Sequence, residues 1–137
     1  MKMKILFICE YNACRSQMAE GIARTLFPEN WEIQSAGVHR GSLNELTVEV
    51  TREINIDISS HYSKQLAAVS DNHFDLVIVL AEPAWEAASI LKGRKKILWA
   101  LEDPVAIPGD KEWLKEKIRK VRDAIRGNLE KLSEEKF

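Results

Sequence analysis

Two groups near the amino terminus can do chemistry together: the thiol of Cys9 and the guanidinium of Arg15, six positions on in Cys9-Glu10-Tyr11-Asn12-Ala13-Cys14-Arg15-Ser16. This segment joins the apolar run Ile5-Leu6-Phe7-Ile8, which reads as a buried strand, to Gln17-Met18-Ala19-Glu20-Gly21-Ile22-Ala23, which reads as the opening of a helix. A loop so placed suits a tetrahedral oxyanion held against sulfur. Its backbone N–H groups can converge on one point, and the helix N-terminus adds unpaired donors and the positive end of its dipole. Arg15 supplies a planar fork for two oxygens. Positive surroundings favour the thiolate, the reactive form of a cysteine, so Cys9 is the expected nucleophile. The expected oxyanion loop is therefore Glu10, Tyr11, Asn12, Ala13, Cys14 and Ser16 around Cys9 and Arg15, with Cys14 as redox partner.

Holding that loop requires the elements around it. Short apolar runs alternate with helical patterns. Strands are expected over 4–9, 31–36, 74–80 and 96–100, and helices over 15–26, about 43–54, 83–91 and 111–132, with a short helix between 63 and 70. Phe27-Pro28 ends the first helix, and Leu114, Ile118, Val121, Ile125, Leu129 and Leu132 lay one apolar stripe along the last. Strands separated by helices imply an α/β fold with a parallel sheet and helices on both faces, and such sheets bind ligands beyond the carboxyl ends of their strands. Cys9 lies at such an end. The pattern shows no linker and no repeat, so residues 1–137 read as a single domain. Trp31, Trp85, Trp99 and Trp113 read as core or helix packing.

Composition narrows the function. At 45% hydrophobic the chain can bury a core, and a net charge of −1 gives no global attraction to nucleic acid or an anionic membrane, so any anion must be drawn by a local site. The first apolar stretch is too short for a signal-peptide core or a membrane span. Two cysteines inside one loop are no disulfide framework, which reads as a reduced, cytoplasmic enzyme. His39 and His73 are not spaced with other ligands, so neither metal nor cofactor is expected.

The loop resembles the phosphate-binding loop of the low-molecular-weight protein tyrosine phosphatases and of the arsenate reductases that share their fold. Cys9, Asn12, Cys14, Arg15 and Ser16 match its pattern, Arg15-Ser16-Gln17-Met18-Ala19-Glu20-Gly21 is closest to the arsenate reductase branch, and Tyr11 stands where the family usually has glycine. The resemblance covers nearly the whole chain and implies a four-stranded sheet in order 2-1-3-4. It also implies roles. Asp103, in Leu101-Glu102-Asp103-Pro104-Val105, matches the family's general acid, where position alone reads as an ordinary Asp-Pro turn; Glu102 is the neighbouring alternative. Ser35 and His61 match residues that support the loop. Asn12 can hold a left-handed turn and cross-link the loop through its amide, and Ser16 either donates to the sulfur or caps the helix.

Two reactions fit these roles. In the first, Cys9 attacks the phosphorus of a small aryl phosphate or a phosphorylated protein, and water then hydrolyses the phosphocysteine. In the second, arsenate takes the same seat, and a second thiol must attack the Cys9 sulfur before arsenite leaves. The thioredoxin-coupled reductases carry that thiol after the third strand. Here Leu80-Ala81-Glu82-Pro83-Ala84-Trp85-Glu86-Ala87-Ala88 has no cysteine, so reduction must draw on Cys14 or an external thiol donor. The phosphotyrosine enzymes wall their slot with aromatics where this chain has Val38-His39-Arg40 and Val105-Ala106-Ile107, leaving Tyr11 as the one aromatic in view. Phosphatase activity needs no missing part and is the main expectation. Arsenate reduction is the alternative, and non-catalytic oxyanion or redox sensing through Cys9 and Cys14 the remote one.

Overall fold

A computed structural model describes residues 2–135. Strands β1 (Lys4–Cys9), β2 (Glu32–Gly37), β3 (His73–Val79) and β4 (Lys92–Leu98) form one parallel sheet in the order β2-β1-β3-β4. Side chains of central β1 alternate between two cores, as a pleated strand requires. Ile5 and Phe7 enter the larger core with α1 (Arg15–Leu26), α2 (Glu45–Arg52) and α3 (Lys111–Ser133). Leu6 and Ile8 enter the smaller one, roofed by single 3-10 turns at Leu66–Ala68, Glu82–Ala84 and Ala87–Ile90. Helical elements thus cover both faces, and the strand order is the expected one.

The long stripe of α3 does its work in the larger core: Ile118, Val121, Ile125, Leu129 and Leu132 are all buried there. Each such side chain contributes roughly 1.5–3 kcal/mol on leaving water. Asp110 caps the helix by accepting from Trp113 N–H at 3.0 Å. The α2–α3 contact is tied by Glu53, which accepts from Arg119 at 2.8 and 2.9 Å and from Arg122 at 2.9 Å. Those two guanidiniums hold the Glu53 carboxyl down at about 2, hydrogen bonding from Arg119 being the largest cause.

The structure corrects several expectations. Residues 83–91 form no α-helix; Glu82–Ala84 and Ala87–Ile90 are separate 3-10 turns. The connection between β3 and β4 spans only 80–91, near the lower limit for a parallel crossover, so a full helix has no room to run and return. Strand β4 starts at Lys92, earlier than the apolar run shows, because it is an edge strand whose Lys92, Arg94 and Lys95 face solvent. Helix α2 is shorter than 43–54, starting after Asn44, whose Oδ1 accepts from Thr47 N–H at 2.9 Å. Trp85 and Trp113 are exposed rather than core; Trp113 covers Gly109 and takes the Lys117 ammonium 4.6 Å from its ring centroid.

Candidate active site

The carboxyl end of β1 runs through residues 10–14 straight into α1, and the loop between is held by its carbonyls. Val38 N–H donates to Cys9 O (3.1 Å), His39 to Glu10 O (2.8 Å), Gly41 to Tyr11 O (3.0 Å) and Asn44 to Ala13 O (3.0 Å), while the Gln17 amide donates to Asn12 O (3.0 Å). In a planar trans peptide the N–H points opposite to the C=O. With all five carbonyls tied outward, the N–H groups of residues 10–14 face into the loop. The reversal pivots on Asn12 at φ 51°, a left-handed conformation that asparagine tolerates. Gly37 backs it: a Cβ there would stand 2.6 to 2.8 Å from His39 O, Asn12 N and Tyr11 C, so only glycine fits. Cys14 is the N-cap of α1 and supplies no side-chain acceptor, which leaves the first-turn donors to an anion.

A buried polar network fixes this loop from behind, and its protons can be assigned. Asn12 Oδ1 accepts from Lys64 N–H (2.8 Å), a group that can only donate, and from Gln17 Nε2 (2.9 Å). The amide is therefore oriented, and Nδ2 donates to Ser16 Oγ (2.7 Å) and Ser35 Oγ (2.9 Å). Ser35 donates its own hydrogen to Glu20 Oε1 (2.6 Å). Ser16, having accepted from Asn12, keeps its hydrogen for the Cys9 sulfur 2.9 Å away. Behind them Gln17 Oε1 lies 3.0 Å from His61 Nδ1, and because the Gln17 nitrogen is already directed at Asn12 and Tyr62 O, His61 Nδ1 carries the hydrogen. Burial pushes the His61 pKa down, against the pull of Glu20.

Arg15 is buried at the far side of the loop. Its Nη1 donates to Leu101 O (2.9 Å), two residues before Asp103, and Nη2 lies 3.5 Å from Glu10 Oε1. Between the two loops is a cavity of about 40 Å³ lined by Cys9, Tyr11, Ala13, Cys14, Arg15, Asp103 and Val105. The structure thus brings Cys9, Arg15 and Asp103 to one place. Asp103 Oδ1 accepts from Val105 N–H (3.1 Å), which shapes its turn, whereas Glu102 is exposed and lines nothing there. Ser35 and His61 stand outside the cavity and reach it only through Asn12 and Gln17. Both cysteines are free. Burial pushes the Cys14 thiol up to about 12, partly opposed by a hydrogen bond with Thr47. A wider groove of about 950 Å³, with Glu82, Trp85, Glu86 and Lys96 on its walls, holds neither a thiol nor an arginine.

Sequence reasoning missed Gln17, Glu20, Gly37, Thr47 and Ser63. The last donates to Tyr11 O (2.9 Å) and accepts from Gly41 N–H (3.0 Å). A signal existed for two of them: Gln17, Glu20 and Arg24 lie three and four apart on one helical stripe, yet α1 is buried all round from Arg15 to Ala23.

The sequence pattern of the low-molecular-weight phosphotyrosine protein phosphatases matches residues 4–136. The chain belongs to that family. Within it, the arsenate reductase of Staphylococcus xylosus is 40% identical over 134 residues, covering 94% of this chain and 95% of its own length. Among solved members of the fold, the low-molecular-weight protein tyrosine phosphatase of T. tengcongensis is 30% identical with a TM-score of 0.75, over 96% of this chain and 97% of that one. An arsenate reductase in its phosphate-binding state is likewise 30% identical, with a TM-score of 0.77 and 97% of both chains covered. This low-molecular-weight phosphatase domain is therefore similar to enzymes of both names.

Proposed function

We propose that the chain is a cysteine-dependent phosphomonoesterase acting on aryl phosphates, phosphotyrosine among them, and that residues 1–137 form one domain, of which Met1, Lys136 and Phe137 lie outside the described residues. The observation that carries the reading is the outward anchoring of all five carbonyls from Cys9 to Ala13, with Arg15 and Asp103 sharing the cavity of Cys9. The Cys9 sulfur attacks phosphorus in line, forming an S–P bond as the ester P–O bond breaks, and Asp103 gives the departing oxygen its proton. Arg15 and the inward N–H groups stabilise the charge growing on the equatorial oxygens. Asp103, now a carboxylate, takes a proton from the water that displaces sulfur, and the Ser16 hydrogen eases departure of that sulfur. Among the described residues no helix is long and apolar enough to cross a membrane, and the two free thiols suit a reducing cytoplasm.

Arsenate reduction by the same Cys9 is the second reading, and the names of the curated relatives favour it. Against it stand the cysteine-free segment 80–91 and a Cys14 thiol that burial keeps protonated at neutral pH. An external small thiol or a glutaredoxin-like protein would have to supply the electrons. The deciding assay offers the purified chain an aryl phosphate, and separately arsenate with thioredoxin or with a small thiol. The expected result is aryl phosphate turnover that Cys9→Ser abolishes, and little thioredoxin-coupled reduction. Robust thioredoxin-coupled turnover, with phosphatase activity at background, would overturn the phosphatase reading.

A further inference from the structure

The anion cavity is too small for a whole ester. Its volume of about 40 Å³ is roughly three times the ~10–15 Å³ of cavity space that one water needs, room for a small oxyanion but not for an aromatic ester around it. Whatever the phosphoryl group is attached to must lie outside, against the cavity's mouth. Two side chains that line the cavity offer apolar surface there, Tyr11 from the anion loop and Val105 from the Asp103 loop.

Tyr11 is unusual in how firmly it is presented. Its carbonyl accepts from both Gly41 N–H (3.0 Å) and Ser63 Oγ (2.9 Å), so the backbone beneath the ring is fixed. Gly41 is also the residue that makes space for it: a Cβ there would come within 3.0 Å of Tyr11 O and 3.1 Å of Tyr11 Cβ. Tyr11 as a whole is 48% exposed, which is a large hydrophobic residue to leave in water beside a catalytic cavity. The ring meets His39, with ring centroids 5.7 Å apart and planes tilted by 33°. A ring in contact with a neighbour and still partly exposed is placed to take a flat group.

We propose that Tyr11, braced by His39, is the specificity-determining wall of this site: it stacks on the aromatic leaving group of the substrate, with Val105 as the second contact. The inference rests on the phosphatase reading for its substrate and goes beyond it in assigning the selection to a side chain of the anion loop itself. Chains whose phosphate sits on an alkyl carbon gain nothing from the ring. Aryl esters gain a stacking contact of the size that aromatic pairs show, which corresponds to about a three- to tenfold preference.

The test compares inhibition by phenylphosphonate with inhibition by inorganic phosphate, in the native chain and in Tyr11→Ala, Tyr11→Phe and His39→Ala. Phenylphosphonate has no ester bond to break, so its binding can be read by calorimetry even if the chain turns over no aryl phosphate. The expected result is a three- to tenfold fall in the phenylphosphonate-to-phosphate preference for Tyr11→Ala, a return to the native ratio for Tyr11→Phe, and a smaller fall for His39→Ala. In parallel, the kcat/KM ratio of naphthyl phosphate to glycerol phosphate should fall by the same factor in Tyr11→Ala. A preference unchanged within twofold in Tyr11→Ala, or one that Tyr11→Phe does not restore, would overturn the wall. An intact, Tyr11-dependent binding preference with no phosphatase turnover would instead keep the wall and overturn the phosphatase reading. His39→Ala alters an exposed side chain outside the anion loop, so it reports on the brace should Tyr11→Ala fail to fold.

Discussion

Replacing Asn12 by alanine tests whether the anion loop is held by side-chain bonding from behind. The native side chain is fully buried and makes four hydrogen bonds, accepting from Lys64 N–H and Gln17 and donating to Ser16 and Ser35. At about 0.5–1.5 kcal/mol net for each, their loss costs about 2–6 kcal/mol. Alanine must also hold φ at 51°, which adds about 1–2 kcal/mol. The expected loss is therefore about 3–8 kcal/mol, a large share of the ~5–15 kcal/mol that stabilises a domain. In a urea titration with a slope of about 1.5 kcal/mol per molar, the midpoint should fall by about 2–5 M. Glycine at the same place loses the hydrogen bonds but not the backbone freedom, so Asn12→Gly should be about 1 kcal/mol more stable than Asn12→Ala. A midpoint shift under about 0.5 M for Asn12→Ala would refute the network as the support of the loop, and equal midpoints for the two variants would remove the backbone contribution.

Other perturbations follow from the same geometry. Asp103→Asn should slow esters of poor leaving groups far more than those of acidic phenols, since only the former need the proton; equal slowing on both, measured as kcat across a series of phenols, would reduce Asp103 to a structural role. Peroxide should oxidise Cys9 and let Cys14 close a disulfide recoverable with a dithiol. Because the Cys14 thiol lies at about 12, its thiolate fraction, and with it the closure rate, should rise roughly tenfold per pH unit from pH 7 to 9; a flat rate by quenched thiol counting would exclude Cys14 as the resolving group. Glu53 has its carboxyl depressed to about 2 from 4.5, so its contribution is complete above pH 4.5 and lost as pH falls toward 2. Glu53→Gln should accordingly lower the thermal midpoint at pH 7 but not at pH 2, and an equal effect at both would show that charge is not what Glu53 supplies.

What sequence could reveal here depends on how local the cause is. Strand β1, helix α1 and the stripe of α3 are written in the spacing of neighbouring apolar residues, and periodicity finds them. Cys9 and Arg15 are six residues apart and share one loop, so their meeting needs no knowledge of the rest of the chain. Asp103 required the family resemblance, because an Asp-Pro after a strand is ordinary turn chemistry until the fold brings it over Cys9. Glu20 and Gln17 share a helical stripe, but the spacing alone does not say that they are buried. Their partners Ser35, His61 and Tyr62 arrive from distant segments, and a polar residue on a helix reads as solvated until something covers it. The turns at 82–90 depart from the expected helix because alanine-rich sequence favours helix locally, while the short crossover decides otherwise.

The exposed cations of β4 have a consequence for the molecule among its own copies. An edge strand offers a row of free N–H and C=O groups to any strand that comes alongside, and in a concentrated solution the nearest candidate is the same strand of another molecule. Lys92, Arg94 and Lys95 make that encounter repulsive, since two such edges laid together oppose like charges without an acid between them. The repulsion is screened by salt, so the barrier to edge-to-edge joining is lowest where ionic strength is high. Threonine at these three positions would keep the strand's pairing with β3 and remove its guard, leaving a sheet that another sheet can extend.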